Sequence, residues 1–235
     1  MKRGFHNKLG NISLITGGSI VLAMFLLLSF CCLFSPAALA DEVAKPEQII
    51  LSWTSDPLTS QTITWLGADD SLGQLQYQAK SSFNGSFDSA QQVEAEANKF
   101  DSRYYRYSIN IRHLTPDTDY IYRLGKEGCW TEPYSFSTAD DTDKFSFLYM
   151  GDVQSGYLGW GRMLNALYQE NPRLRFSLLG GDLTNNDADE MEWGEFLDAA
   201  SGVFSRIPLM PTLGNHDGTM YKNFFALPDN GPAGL

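Results

Sequence analysis

The chain has 235 residues, enough for two small domains, and its 43% hydrophobic content is typical of a globular protein. Its formal net charge is −11, from 17 basic and 28 acidic residues. We therefore expect no nucleic-acid binding, because Lys and Arg are what hold a phosphate backbone. Any anionic substrate would need a local positive centre, such as a metal ion.

The first 40 residues have the features of a secretory signal peptide. Three basic residues precede a mostly apolar run over residues 12–33, and the small residues of Ala38-Leu-Ala40 follow it. This pattern predicts an exported protein, secreted, periplasmic or on the cell surface, with cleavage after Ala40. The alternative is an uncleaved anchor, because about 20 apolar residues can span a bilayer. The protein would then meet the membrane only through this segment.

Residues 41–140 predict an all-β sandwich, because apolar and polar residues alternate in short runs separated by turn signals. These runs lie around Trp65, Tyr77, Tyr107, Tyr122 and Phe136.

The stretch LTPDTDYIYR, residues 114–123, resembles the fibronectin type III signature, in which a tyrosine hydroxyl bonds back to the backbone. Trp65 fits the core tryptophan of that family. We expect His113 to be a surface or hinge residue. Cys129, the only cysteine after residue 40, is expected to be buried or half-buried without a catalytic role.

Residues 141–235 predict an α/β domain, in which three apolar strands alternate with two helices. The predicted strands cover 145–150, 176–179 and 207–213. Apolar residues at helical spacing mark the predicted helices: Trp160, Met163, Leu164, Leu167 and Tyr168 in the first, and Met191, Phe196, Leu197, Ala200 and Phe204 in the second.

Each predicted strand ends in glycine followed by an oxygen ligand, namely Asp152, Asp182 or Asn215. Because such strands run parallel, their carboxyl ends lie side by side, which is where ligands bind in α/β sheets. Carboxylate and amide oxygens suit hard or borderline metal ions. The repeated pattern therefore predicts a metal site at this edge.

With these three motifs in order, residues 141–235 resemble the first half of a calcineurin-like metallophosphoesterase domain. Together with the preceding sandwich, the exported part is similar to the purple acid phosphatases. The resemblance implies a partial βαβαβ domain that hydrolyses phosphate monoesters with a hydroxide activated by two metal ions, drawn from Fe, Zn and Mn. It implies that Asp152 binds the first metal, Asp182 bridges both and Asn215 binds the second. It also implies that His216 orients the substrate phosphate or protonates the leaving group.

Two residues depart from the family pattern at the first metal. Gln154 stands where many metallophosphoesterases have a ligating histidine and purple acid phosphatases have a small residue. Asn185 stands where purple acid phosphatases have a tyrosinate, so we expect no purple charge-transfer colour. Both are candidates for additional first-metal contacts. For Gln154, coordination through its amide oxygen, a hydrogen bond to water and a weak site all remain open.

The family completes its metal centre with later histidines, yet the chain has only three, His6, His113 and His216. We therefore expect an incomplete and inactive fragment of a longer protein, with one face of its half-sheet uncovered. The alternative hypothesis is a non-catalytic surface binding or adhesion module that uses the fibronectin-like domain.

Overall fold

A computed structural model describes residues 45–142, 144–228 and 230. The signal-peptide prediction lies outside these residues. No helix in the described part of the chain is both long and apolar enough to cross a membrane.

From residue 45, where the described part of the chain begins, the alternating residues form nine antiparallel strands. In chain order these are β1 (Glu47–Ser52), β2 (Gln61–Gly67), β3 (Gln74–Ala79), β4 (Gln91–Glu94), β5 (Asn98–Lys99), β6 (Tyr105–Ile111), β7 (Asp119–Lys126), β8 (Cys129–Trp130) and β9 (Tyr134–Ser137), with a short 3₁₀ turn at Lys80–Ser82. One sheet has the order β1-β2-β6-β5, and the other has the order β4-β3-β7-β8 with β9 also paired to β7. The predicted sandwich is therefore confirmed.

The core of the sandwich is aromatic. Trp65 is fully buried and stacks on Tyr107, with ring centroids 5.3 Å apart. The Tyr120 hydroxyl accepts a hydrogen bond from the Thr115 N–H at 2.9 Å, which is the predicted tyrosine corner. Cys129 is buried, as predicted.

The C-terminal part forms a parallel sheet with helices between its strands. Its elements are β10 (Ser146–Met150), α1 (Tyr157–Glu170), β11 (Leu174–Leu179), α2 (Glu190–Phe204), β12 (Leu209–Pro211) and the short α3 (Tyr221–Phe224). The strand order is β10-β11-β12, and both pairings are parallel. The predicted βαβαβ unit is therefore confirmed, although β12 is shorter than predicted. Pro208 and Pro211 have no N–H to extend the ladder.

The helices present different faces from those the periodicity predicts at two positions. Met163 is 49% exposed and Met191 is 72% exposed, although both belong to the apolar sets that mark the predicted helices. For Met163 the reason is the close packing of α1 on α2, in which a Cβ at Gly161 would lie 2.8 Å from the Ala199 carbonyl oxygen. This contact turns the Gly161 side of α1 inwards and leaves Met163 in solvent.

The continuous apolar run at 145–150 was interpreted as a buried strand, but β10 contains no buried residue. Its outward residues Phe147 and Tyr149 are 44% and 68% exposed, while Leu148 and Met150 pack against the helical core. Phe147 stacks on Phe176 of β11 with ring centroids 5.2 Å apart. Within the described residues, the helices cover only one face of this sheet, which agrees with the expected uncovered face.

The two parts of the described chain are packed together. The Tyr122 hydroxyl of β7 is buried and donates to the Ser205 carbonyl at the end of α2, at 2.7 Å. Ile50 of β1 belongs to the hydrophobic core of the α/β part. The sandwich therefore supports the α/β part directly.

Candidate metal centre

The three strand ends that carry the predicted ligands meet in the structure. The Asp152 N–H donates to the Gly181 carbonyl at 3.2 Å. A Cβ at Gly181 would lie 2.7 Å from the Gly214 Cα, and a Cβ at Gly214 would lie 2.1 Å from the Asp182 nitrogen. These backbones approach so closely that only glycine fits between them. The predicted convergence of the three loops is therefore what the structure shows.

Asp152 and Asp182 adopt the same uncommon backbone conformation, with φ of 52° and 51°. Residues other than glycine rarely adopt positive φ, and each such residue costs on the order of 1–3 kcal/mol. The strain occurs twice, each time just after a strand and on a predicted ligand. Asp152 is exposed and Asp182 half-buried, so both lie where an ion can reach them from solvent.

A chain of hydrogen bonds connects four of the predicted site residues. The His216 N–H donates to the Asp182 Oδ1 at 3.2 Å. The His216 Nδ1 lies 3.0 Å from the Asn185 carbonyl oxygen. The Asn185 side-chain amide in turn donates to the Gln154 carbonyl. All six predicted residues therefore belong to one cluster, since Asp152 bonds to Gly181, the residue before Asp182. Asn215 follows Gly214, which contacts Asp182.

The contact with Asn185 determines how the His216 imidazole is oriented. A carbonyl oxygen can only accept, so Nδ1 carries the proton in this bond. The other ring nitrogen, Nε2, is then left for a ligand or substrate. His216 is exposed, which keeps Nε2 accessible from solvent.

Asp217 is a residue of this cluster that the sequence did not single out. Its side chain is fully buried, yet it accepts three backbone hydrogen bonds. Oδ1 accepts from the Leu183 and Thr184 N–H groups at 2.6 and 3.0 Å, and Oδ2 accepts from the Gly214 N–H at 2.8 Å. Asp217 thus joins the loop after β11 to the loop after β12. The available signal was its position directly after Asn215-His216.

Glu192 is a second such residue. Its Oε1 accepts from the Asn185 N–H at 2.9 Å, from the Asn185 side-chain amide at 2.8 Å and from the Tyr157 hydroxyl at 2.9 Å. Its Oε2 accepts from the Asn186 N–H at 3.1 Å. One carboxylate on α2 therefore holds the Asn185 loop and the start of α1.

These contacts also set the protonation of Glu192. Burial by itself would raise the pKa of this carboxyl, but the hydrogen bonds from Asn185, Tyr157 and Asn186 bring the pKa below its ordinary value of 4.5. The sequence offered a signal, because Asp189 and Glu192 have the spacing of a helix capping box. Asp189 does cap α2, accepting from the Met191 and Glu192 N–H groups at 3.0 and 3.2 Å. Glu192, however, reaches the neighbouring loop.

The cluster offers oxygen donors that fit a hard metal ion, although the set is incomplete. Asp152, Asp182 and Asn215 project from adjacent strand ends, and the Gln154 side-chain oxygen is buried without a hydrogen-bond partner. A buried oxygen without a partner costs about 1–3 kcal/mol, which a bound ion would offset. Within the described residues, no group of three or more His, Cys, Asp or Glu side chains is arranged to hold a metal.

Comparisons with known families divide the chain into two consecutive matches. Residues 46–138 match the family described as the purple acid phosphatase N-terminal domain. Residues 145–233 match the calcineurin-like phosphoesterase family. The two matches follow each other in the order that the sequence analysis predicted.

Individual relatives agree with these matches. Acid phosphatase type 7 of Mus musculus is 26% identical over 218 residues, covering 86% of this chain and 49% of the mouse protein. Purple acid phosphatase 21 of Arabidopsis thaliana is 30% identical over 112 residues, covering 47% of this chain and 24% of that protein. The chain therefore spans half or less of the length of these relatives.

A solved structure shares the fold. The purple acid phosphatase PPD1 from yellow lupin seeds superposes with a TM-score of 0.66 at 16% identity, covering 80% of this chain and 42% of the lupin chain. At that identity the similarity shows the common fold alone.

Proposed function

Because the chain belongs to the purple acid phosphatase-like family of calcineurin-type phosphoesterases, we propose that the candidate metal centre hydrolyses phosphate monoesters with the help of two bound metal ions. The observation that carries this proposal is the meeting of three strand ends with oxygen donors, two of them on strained aspartates. We further propose that the protein is exported, because of the predicted signal peptide.

In this proposal each site residue has a separate task. Asp152, Asp182 and Asn215 hold the ions, and Gln154 adds its unpaired side-chain oxygen at the first position. The Asn185 side-chain amide donates to Glu192 and to the Gln154 carbonyl, so Asn185 positions its neighbours. His216 turns Nε2 towards the phosphate, where a protonated imidazole binds a phosphoryl oxygen or gives its proton to the leaving alcohol.

The metal ions supply the positive charge that stabilises the phosphoryl group during its transfer. Such charge is needed here because the chain carries a formal net charge of −11. Among the described residues, His216 is the only histidine at the site, and the other candidate residues offer oxygen donors. That the complete protein adds histidine donors stays a prediction, which reading the coding sequence past residue 235 tests.

Metal titration of the full chain tests the proposal directly. We expect Mn²⁺, Zn²⁺ or Fe³⁺ to raise the midpoint of thermal unfolding, because an ion bound only to the folded state at 100 times its Kd stabilises by about 2.7 kcal/mol. Asp182→Ala should abolish the shift. The matched control Asp88→Ala removes an exposed carboxylate of the sandwich and should keep it.

A midpoint that no metal shifts, or a shift that Asp182→Ala leaves unchanged, would contradict the metal centre. That result would favour the alternative of a binding module acting through the sandwich. Phosphate release from a phosphate monoester by the product of the full reading frame, measured with and without Asp182→Ala, then tests catalysis itself.

A further inference from the structure

A second polar cavity lies at the edge of the parallel sheet opposite to the candidate metal centre. It has a volume of about 210 Å³ and lies between β9 of the sandwich and the start of β11. A strand advances about 3.3 Å per residue, so the two ends of the six-residue β11 are about 17 Å apart. The metal centre follows the other end of β11, which makes this cavity a separate site.

The cavity gathers positive charge in an acidic protein. Four of the 17 basic residues of the chain line it, whereas Asp119 is the only acidic residue in its wall among the residues that the structure describes. The four are Lys80, Arg173, Arg175 and Arg206. We name this feature the basic pocket. In a chain with 28 acidic residues such a local excess of cations is opposite to the average composition.

Few carboxylates compensate these cations. Arg175 forms an ion pair with Asp140. Among the residues that the structure describes, none of the other three cations has a carboxylate oxygen within 4.0 Å. The Asp119 carboxylate already accepts a hydrogen bond from the Ser137 hydroxyl. Like charges brought together in this way repel each other, and an anion among them would remove the repulsion.

Helix ends explain only part of the cluster. Arg173 follows α1 and Arg206 follows α2, and cations are favoured after helix C-termini because of the helix dipole. Lys80 comes from the sandwich and Arg175 from within β11, so neither has this explanation. Two structural parts of the chain therefore contribute cations to one small cavity.

Arg206 is held by contacts of its backbone and of its side chain. Its backbone N–H bonds to the Val203 carbonyl at 2.8 Å, and its guanidinium carbon lies 5.7 Å from the centre of the Tyr134 ring. The carbonyl oxygen of the preceding residue, Ser205, accepts the hydrogen bond from the buried Tyr122 hydroxyl, and this bond joins the sandwich to α2. Arg206 is thus held at a fixed junction, and its planar group matches the oxygen spacing of phosphate.

We propose that the basic pocket binds a phosphate-type oxyanion, as free phosphate or as the phosphate group of a small ester. Arginine and lysine provide charge-assisted donors, and the hydroxyl of Ser135 in the same wall provides a neutral one. The volume of about 210 Å³ admits a group of this size. This site needs no metal, so it does not rest on the proposed phosphatase function.

Calorimetric titration of the full chain with inorganic phosphate tests the proposal. EDTA is present, so the candidate metal centre carries no ions, and chloride holds the ionic strength constant. We expect saturable binding that Arg173→Gln/Arg206→Gln weakens about tenfold or more, because two charge-assisted bonds are lost. Lys80→Gln, at an exposed position, should weaken binding severalfold without affecting folding.

The matched control is Arg162→Gln/Lys222→Gln, which removes the same charge at two exposed positions on α1 and α3. It should bind phosphate as the unmodified chain does. Sulfate, a free anion, and glycerol phosphate, an ester, are titrated in parallel. Their affinities relative to inorganic phosphate distinguish free from esterified anions. Absence of saturable binding overturns the proposal. So does equal affinity in the pocket variants and the unmodified chain, or an equal loss in the control. If Arg173→Gln/Arg206→Gln does not fold, Lys80→Gln tests the proposal in its place. Phosphate affinity equal to that of the unmodified chain then overturns the proposal.

Discussion

Asp217→Asn is the sharpest test of how the candidate metal centre is built. The change keeps the shape of the side chain, but an amide NH₂ replaces one carboxylate oxygen. With its remaining oxygen at the Oδ1 position, the new amide would keep the bonds from the Leu183 and Thr184 N–H groups. Its NH₂ would then face the Gly214 N–H, which now donates to Oδ2 at 2.8 Å.

The magnitude follows from these three bonds. Losing a hydrogen bond to a charged group in a fully buried position costs about 2 kcal/mol. The other two bonds become neutral and lose about half their strength, which adds about 1 kcal/mol each. A neutral side chain is easier to bury and recovers part of this. We expect a net loss of about 3 kcal/mol in the free energy of unfolding.

Urea unfolding of the metal-free chain, followed by tryptophan fluorescence, measures this loss. At a slope of about 2 kcal/mol per molar urea, the midpoint should fall by about 1.5 M. The control is Asp152→Asn, the same chemical change on an exposed carboxylate of the same edge, which should stay within about 0.5 kcal/mol. A loss below about 1 kcal/mol for Asp217→Asn, or an equal loss in the control, would refute the reasoning.

Two further predictions concern the loops around Asp182. Gly214→Ala would place a Cβ 2.2 Å from the Asp182 Oδ1, so we expect thermal unfolding to show a loss of about 1–3 kcal/mol in the free energy of unfolding. The control Gly159→Ala, with open space around its Cβ, should be neutral or stabilising. Equal effects of the two changes would contradict the close approach. The lowered pKa of Glu192 means that its stabilisation is fully present above pH 4.5 and is lost as the pH falls below that value. The difference in unfolding free energy between the unmodified chain and Glu192→Gln should therefore shrink between pH 6 and pH 3, and a difference that is constant with pH would exclude this role.

The local pattern of the chain was sufficient for its architecture. Alternation of period two predicted the strands around Trp65 and Tyr107, and the three glycine-terminated runs predicted the parallel strands. The spacing of apolar residues in such a pattern indicates which backbone conformation a segment favours and which face of that segment is apolar. For the same reason, the sequence could place Asp152, Asp182 and Asn215 at one edge, since parallel strands must align their ends.

What the sequence could not decide depended on contacts between distant segments. The exposure of Met163 follows from the close approach of α1 to α2, and the exposure of Phe147 follows from helices covering only one face of the sheet. In the sequence Asp217 looks like an ordinary loop residue. In the structure, the loop after β11, more than thirty positions earlier, supplies two of its hydrogen-bond donors. Glu192 reads as a helix cap until Asn185 lies beside it. The sequence by itself determined which residues could form the site. The tertiary structure decided which carboxylates hold them in place, because a hydrogen bond depends on where its partner lies in space.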